Sequence, residues 1–211
     1  MSPPGQGPSR LAVLLSGSGT TLENFFVQHE AGKLPVEFVC VLASRPDAYG
    51  LERAKRRGVP TAVVARKSFQ GVEPFSKAVF AALEPYRPEL ICLAGWMCLL
   101  RIPPQYEGRI LNVHPALLPA FGGKGFYGHH VHEAVLAAGC RISGCTVHLV
   151  DNRYDHGPII VQKTVDVREE DTPDTLAERV QAAEREIYPE AVRLYVAGRL
   201  KVEGRRVRIL P

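Results

Sequence analysis

Apolar and polar positions fall into short segments of alternating character along the first half of the chain. Leu11-Ala-Val-Leu-Leu15 is a run rich in branched apolar residues that ends in Ser16-Gly-Ser-Gly-Thr-Thr21. That is the pattern of a buried strand entering a glycine-rich turn. Leu22 to Glu30 then reads as a helix and Glu37 to Leu42 as a second strand. Gly50 to Arg57 is a helix, Pro60 to Val64 a third strand, Glu73 to Tyr86 a helix and Glu89 to Ala94 a fourth strand. Strands alternating with helices predict an α/β architecture, a mostly parallel sheet with helices on both faces and right-handed crossovers.

The second half changes character. Arg109 to Val113 reads as a strand that stops at His114-Pro115, followed by a loop rich in Pro and Gly through Gly128. Val131 to Ala138 looks helical, and Cys145 to Val150 and Ile159 to Val165 are β-rich runs joined by Asp151 to Pro158. Asp171-Thr172-Pro173 starts a long amphipathic helix to Ala197, with Pro in the first turn where its missing N–H costs nothing. Val and Arg alternate around Glu203-Gly204, which predicts a terminal hairpin. The adjacent β-rich runs predict an antiparallel C-terminal portion. With no internal repeat and no linker, 211 residues fit one domain, 10–211, behind a disordered leader, 1–9, of Pro, Gly and Ser.

Composition narrows the class. The chain is 45% hydrophobic and 23% charged, ordinary for a globular protein. No apolar run is long enough to span a bilayer, and the leader has no apolar core, so a cytoplasmic location and no membrane partner are expected. The net charge of +4 is too small to argue for nucleic acid but suits small anionic ligands. Arg205, Arg206 and Arg208 read as a solvated strand face. The five cysteines, Cys40, Cys92, Cys98, Cys140 and Cys145, form no Cys-x-x-Cys pair and read as reduced small hydrophobes. His129, His130, His132 and Glu133 look at first like a metal cluster. Only His129 and His132 share a helical face and no HExxH pattern exists, so no metal is expected.

Three segments carry candidate chemistry. Glycines in Ser16–Thr21 let backbone N–H groups approach an anion at a helix N-terminus. The segment lacks the third Gly of a dinucleotide fingerprint and the Lys of a P-loop. A single phosphate therefore fits better than a dinucleotide or triphosphate; the alternative is a plain turn capped by Ser or Thr. In Asn112-Val113-His114-Pro115, residues i and i+2 of a strand face the same way, and Pro115 stops the ladder. A donor and a titratable donor then sit at the strand's C-terminal end, suited to an oxyanion in acyl transfer. The alternative is a buried His bonded to backbone. In the loop 151–158, an Asp can orient an imidazole, or simply belong to an acidic hairpin loop. His148 lies on the preceding run, compatible with either the interior or the site.

Taken together the chain resembles the folate-dependent glycinamide ribonucleotide formyltransferases of purine synthesis. The resemblance runs from Leu11 to Leu200. It is carried by Leu15-Ser-Gly-Ser-Gly-Thr-Thr-Leu22, Leu93-Ala-Gly-Trp-Met-Cys-Leu-Leu100, Leu111-Asn-Val-His-Pro-Ala-Leu-Leu-Pro119, Thr146-Val-His-Leu-Val150, Asp155-His-Gly-Pro-Ile-Ile-Val-Gln162 and Arg179-Val-Gln-Ala-Ala-Glu-Arg-Glu-Ile-Tyr-Pro189. It implies a Rossmann-like formyltransferase fold with a phosphate-binding half, about 10–110, and a folate and catalytic half, about 111–200. It implies Asn112, His114 and Asp155 as the catalytic trio, and Gly19, Thr20, Thr21, Gln181 and Glu184 as contacts to the ribonucleotide. Met97, Cys98, Leu99, Leu100, Asn112, Val150 and Asp155 would line the folate site. The co-substrate would be 10-formyltetrahydrofolate, the acceptor glycinamide ribonucleotide, and the state monomer or homodimer. Asn112 and protonated His114 would donate to the oxyanion, with Asp155 supporting the imidazolium and relaying a proton through water.

Thr21 stands where Asn is common in the family, Cys98 and Val72 where Arg occurs, and Ala116 where Ser is usual; the loop 121–128 is longer and richer in Gly, with Lys124 expected in solvent. Competing readings are a related formyltransferase, a formyltetrahydrofolate hydrolase, or a non-catalytic nucleotide-binding module of the same fold. A tRNA-directed formyltransferase is expected to carry a further C-terminal domain and the hydrolase an N-terminal regulatory one.

Overall fold

The computed structural model describes residues 7–211. Residues 1–6 of the expected leader lie outside the described residues, and Ser9 opens the first strand. The chain divides into two compact units, one ending at Leu111 and one running from Asn112 to Pro211.

The first unit runs β1 (Ser9–Leu15), α1 (Thr20–Glu30), β2 (Val36–Ala43), α2 (Gly50–Arg56), β3 (Thr61–Val63), α3 (Val72–Leu83) and β4 (Leu90–Leu93). The strand order is β3-β2-β1-β4, and each neighbouring pair is parallel. Leu11 to Leu15 are fully buried, as expected of a central parallel strand, whose residues are apolar on both sides. Phe26 of α1 packs edge-on against Phe38 of β2, with ring centroids 4.7 Å apart, and Phe75 of α3 stacks on Trp96. Helix α1 starts two residues before the expected Leu22, so both threonines belong to its first turn. The expected helix to Tyr86 ends at Leu83 and tightens into a 3-10 turn over Glu84–Tyr86. Pro85 there removes an N–H that a continuing helix would use.

The strand β5 (Ile110–His114) starts in the first unit and ends in the second. The second unit continues with α4 (His129–Ala137), β6 (Ile142–Leu149), β7 (Ile159–Asp166), α5 (Pro173–Val196), β8 (Leu200–Glu203) and β9 (Arg206–Ile209). Its strands lie in the order β5-β6-β7-β9-β8. β6 and β7 are antiparallel, as are β8 and β9, while β7 and β9 are parallel. The architecture is thus the expected α/β one, with parallel strands in the first unit and antiparallel strands toward the C-terminus. Residues Ser143 to Leu149 of β6 are all buried, whereas β7 alternates. Helix α5 covers both, with Leu176, Val180, Ala183, Ile187 and Ala191 buried at spacings of three or four along one face. Its start is the expected one: Thr172, just before Pro173, and Thr175, just after it, form a reciprocal capping box.

Candidate active site

The turn between β1 and α1 offers main-chain groups. Gly19 is the N-cap of α1 with φ of 72°, and no side chain caps the helix. That left-handed conformation favours Gly, and a Cβ there would lie 2.7 Å from the Gly50 Cα. The first-turn N–H groups of α1 are thus left without the side-chain partner that a Ser or Thr cap would supply. Ser16 is structural: its hydroxyl accepts from the Ser44 hydroxyl at 2.7 Å and from the Met97 N–H at 3.1 Å. Thr20 is exposed and Thr21 half-buried. Glu23, in the same first turn, is clamped by Arg53 at 2.8 Å and Arg57 at 2.6 Å. Burial pushes its carboxyl up, but the two guanidiniums outweigh that and hold it below its ordinary value.

In the second unit a cluster of side chains meets around Asp155. His114, the last residue of β5, is 3% exposed. Its Nε2 lies 2.7 Å from the Phe121 carbonyl oxygen. A carbonyl only accepts, so Nε2 carries a proton and donates. Its Nδ1 lies 3.5 Å from Asp155 Oδ2. Asp155 Oδ2 also accepts from the Gly123 N–H at 2.9 Å. On the other side, Asp155 Oδ1 is 3.8 Å from His148 Nε2. His148 Nδ1 donates to the Leu149 carbonyl at 2.8 Å, which leaves Nε2 of the neutral ring to accept from Asn112 Nδ2 at 3.2 Å. Burial holds the His148 pKa below its ordinary value, consistent with a neutral ring.

Local sequence explains why these groups meet. Asp155 has φ of 50°, a left-handed conformation that Asp tolerates better than most residues. Gly157 permits the return of the chain, because a Cβ there would fall 1.8 Å from the Leu149 carbonyl oxygen. Asp151 stiffens the loop: one oxygen accepts from the Arg153 N–H at 2.8 Å, and the other from His156 Nδ1 at 2.6 Å. Beyond His114, the buried Thr146 hydroxyl donates to the Ala116 carbonyl at 2.7 Å and accepts from the Leu118 N–H at 3.0 Å. Gln162 Nε2 donates to both Leu118 O and Thr146 Oγ1. The segment that delivers the Phe121 carbonyl to His114 is thereby tied to β6 and β7.

Comparisons with known proteins give the family. The model of the formyl transferase family matches residues 9–192. Phosphoribosylglycinamide formyltransferase of Haemophilus influenzae is 35% identical over 92% of this chain and 90% of its own length. The chain belongs to the phosphoribosylglycinamide formyltransferases. A crystal structure of glycinamide ribonucleotide transformylase 1 from Symbiobacterium toebii is 43% identical, with a TM-score of 0.90 over 98% of this chain and 96% of that one. The trifunctional purine biosynthetic protein adenosine-3 of Gallus gallus is 42% identical over 92% of this chain. The chain spans 19% of that relative's length.

Among the residues that resemblance to this formyltransferase family singled out, the structure brings Asn112, His114 and Asp155 together, joined by His148. Sequence reasoning left His148 open; its position two residues after Thr146 on the same strand was the available signal. The Phe121 carbonyl had no signal, being main chain. Of the four residues near the expected folate wall, Met97 is half exposed, Cys98 and Leu99 are intermediate, and Leu100 is 3% exposed and part of the core. Val150 follows β6 directly. Gln181 is exposed on α5. Glu184, one turn on, is half-buried, and burial pushes its carboxyl up to about 7, with Arg185 opposing. Burial likewise pushes the Cys40 and Cys145 thiols up to about 12, so neither is a nucleophile. Lys124 is exposed, as expected.

The reading of the basic tail needs correction. Arg205 lies in the turn between β8 and β9, not on a strand face, and its guanidinium donates to His156 Nε2 at 2.6 Å. Of the alternatives for the 16–21 turn, the plain one capped by Ser or Thr does not hold, because Gly19 occupies the cap of α1. His129 and His132 do share a face, with ring centroids 6.4 Å apart. Burial first, and then the charges of His129 and His114, push His132 down to about 4. Among the described residues no group of three His, Cys, Asp or Glu side chains is placed to hold a metal, and no helix is long and apolar enough to cross a membrane.

Proposed function

We propose that the chain transfers the formyl group of 10-formyltetrahydrofolate to the amine of glycinamide ribonucleotide, giving formylglycinamide ribonucleotide and tetrahydrofolate. The observation that carries this is the convergence of Asn112, His114 and Asp155, in a chain of this family. The amine lone pair attacks the formyl carbon and the carbonyl oxygen becomes an oxyanion. Asn112 Nδ2 has two hydrogens; one goes to His148, which fixes the amide plane, and the second is available to the oxyanion.

His114 Nε2 is held by the Phe121 carbonyl, so Nδ1 is the nitrogen left for chemistry. In the imidazolium, Nδ1 also carries a proton, which faces both Asp155, 3.5 Å away, and the oxyanion. Asp155 accepts the proton released by the attacking amine, through water, and the proton passes to N10 of the folate as the C–N10 bond breaks. No covalent intermediate on the protein is needed. The N–H groups at the start of α1 hold the ribonucleotide's phosphate, with Thr20 and Thr21 adding hydroxyl donors. Gln181 and Glu184 contact the same ligand; Met97, Cys98, Leu99, Leu100, Val150, Asn112 and Asp155 line the folate site. The described residues offer no metal cluster, and no step in this sequence calls for one.

Absorbance of the folate, followed with and without glycinamide ribonucleotide, tests this reading. Transfer requires a change only when both substrates are present. Deformylation that ignores the amine would make the chain a hydrolase, and silence in both arms a nucleotide-binding module without catalysis.

A further inference from the structure

We propose that Arg53 is the positioning residue of the phosphate site: it fastens the 16–21 loop from behind so that its N–H groups face a phosphate monoester. This rests on the reading above for the ligand, and on the geometry of the first unit for the device. The Arg53 Nε donates to the Ser18 carbonyl at 2.9 Å. One residue earlier, the Gly17 carbonyl accepts from the Gly50 N–H at 3.1 Å. Both partners come from α2, so two consecutive carbonyls are drawn to the same side. In a planar trans peptide the C=O and the following N–H point in opposite directions. The N–H groups of Ser18 and Gly19 are therefore turned away from α2, and neither has a partner among the described residues.

The same guanidinium has a second task. Glu23 sits in the first turn of α1, where its carboxylate would compete with an anionic ligand for the helix N-terminus. Arg53 Nη1 takes Glu23 Oε2 at 2.8 Å, while Arg57 takes the other oxygen and Glu30 as well. Stacking on Tyr49, 5.1 Å from the ring centroid, holds the plane of Arg53 for both contacts. Lys could not replace it: one ammonium on a flexible stem does not present the fixed fork that reaches a carbonyl and a carboxylate at once.

The test compares wild type with Arg53→Met and Arg53→Lys. In steady-state transfer, Arg53→Met should raise KM for the ribonucleotide about tenfold or more, with kcat and KM for formylfolate within about twofold of wild type. Arg53→Lys should fall between the two, and it carries the comparison if Arg53→Met melts early. Inorganic phosphate supplies a readout independent of transfer: it should raise the melting temperature of the wild type and raise that of Arg53→Met less. Equal protection by phosphate, or an unchanged ribonucleotide KM in a stably folded variant, overturns the inference. So does a uniform fall in kcat and both affinities, which marks general damage. A wild type that is protected by phosphate yet transfers no formyl group overturns the proposed function and leaves the role of Arg53 standing.

Discussion

Between β1 and α1 the groups on offer are main-chain N–H groups, exposed by a glycine cap and a helix start without a side-chain partner. Around Asp155 they are side chains: two imidazoles that are almost wholly buried, one amide and one carboxylate, interlocked within 4 Å of each other in sequence-distant pairs. The first kind of site tolerates many side chains but almost no change in backbone path. The second tolerates changes in the surrounding backbone only while each titratable atom keeps its one partner. Binding of a constant, charged group suits the former; proton movement during a reaction suits the latter, because only side chains change protonation near neutral pH.

Changes on each side of this contrast should separate binding from turnover. The largest effect is expected at the side-chain cluster. His114→Ala or Asp155→Asn should lower kcat by about a hundredfold or more while ribonucleotide affinity stays near wild type, measured by turnover and by titration of the ribonucleotide. Near-normal turnover in either variant would remove the cluster from the reaction. At the backbone site, Gly19→Val would force a β-branched residue into a left-handed conformation with no space beside Gly50. It should weaken ribonucleotide binding by about tenfold or more, with kcat at saturation less affected; an unchanged affinity would show that the loop holds no phosphate.

The smallest effect concerns pH. Glu184 has a carboxyl raised from 4.5 to about 7 in the folded protein. A raised carboxyl means that the folded chain binds the proton more tightly than the unfolded one. Stability from this group is therefore full below about 4.5 and declines as pH rises through about 7. Glu184→Gln should flatten that decline in denaturant titrations run across the same range. A variant whose pH profile overlays the wild type would show that Glu184 is better solvated than its position implies.

The strands and helices were legible in the chain because their apolar spacing is strong: Leu11 to Leu15 can only be a buried strand, and Leu176 to Val192 only a helix with one covered face. Boundaries were less legible where a single backbone conformation decides, as at Gly19, which starts α1 ahead of the threonines rather than after them. Of the reactive cluster, Asn112 and His114 could be paired from strand alternation alone. Asp155 needed family resemblance, since forty residues separate it from His114 and nothing local distinguishes it from Asp151. His148 and the Phe121 carbonyl became visible only in three dimensions: one depends on which face of β6 looks inward, and the other is a main-chain atom that every residue carries.

That last contact has a consequence for how this protein can vary. Because a peptide oxygen, and not a side chain, steadies the imidazole of His114, residue 121 can change among side chains that accept its left-handed φ of 51° without unseating it. What cannot drift is the count of residues from His114 to Phe121. Adding or removing one there would slide a different carbonyl under the ring, so this stretch is held more strictly to its length than to its spelling.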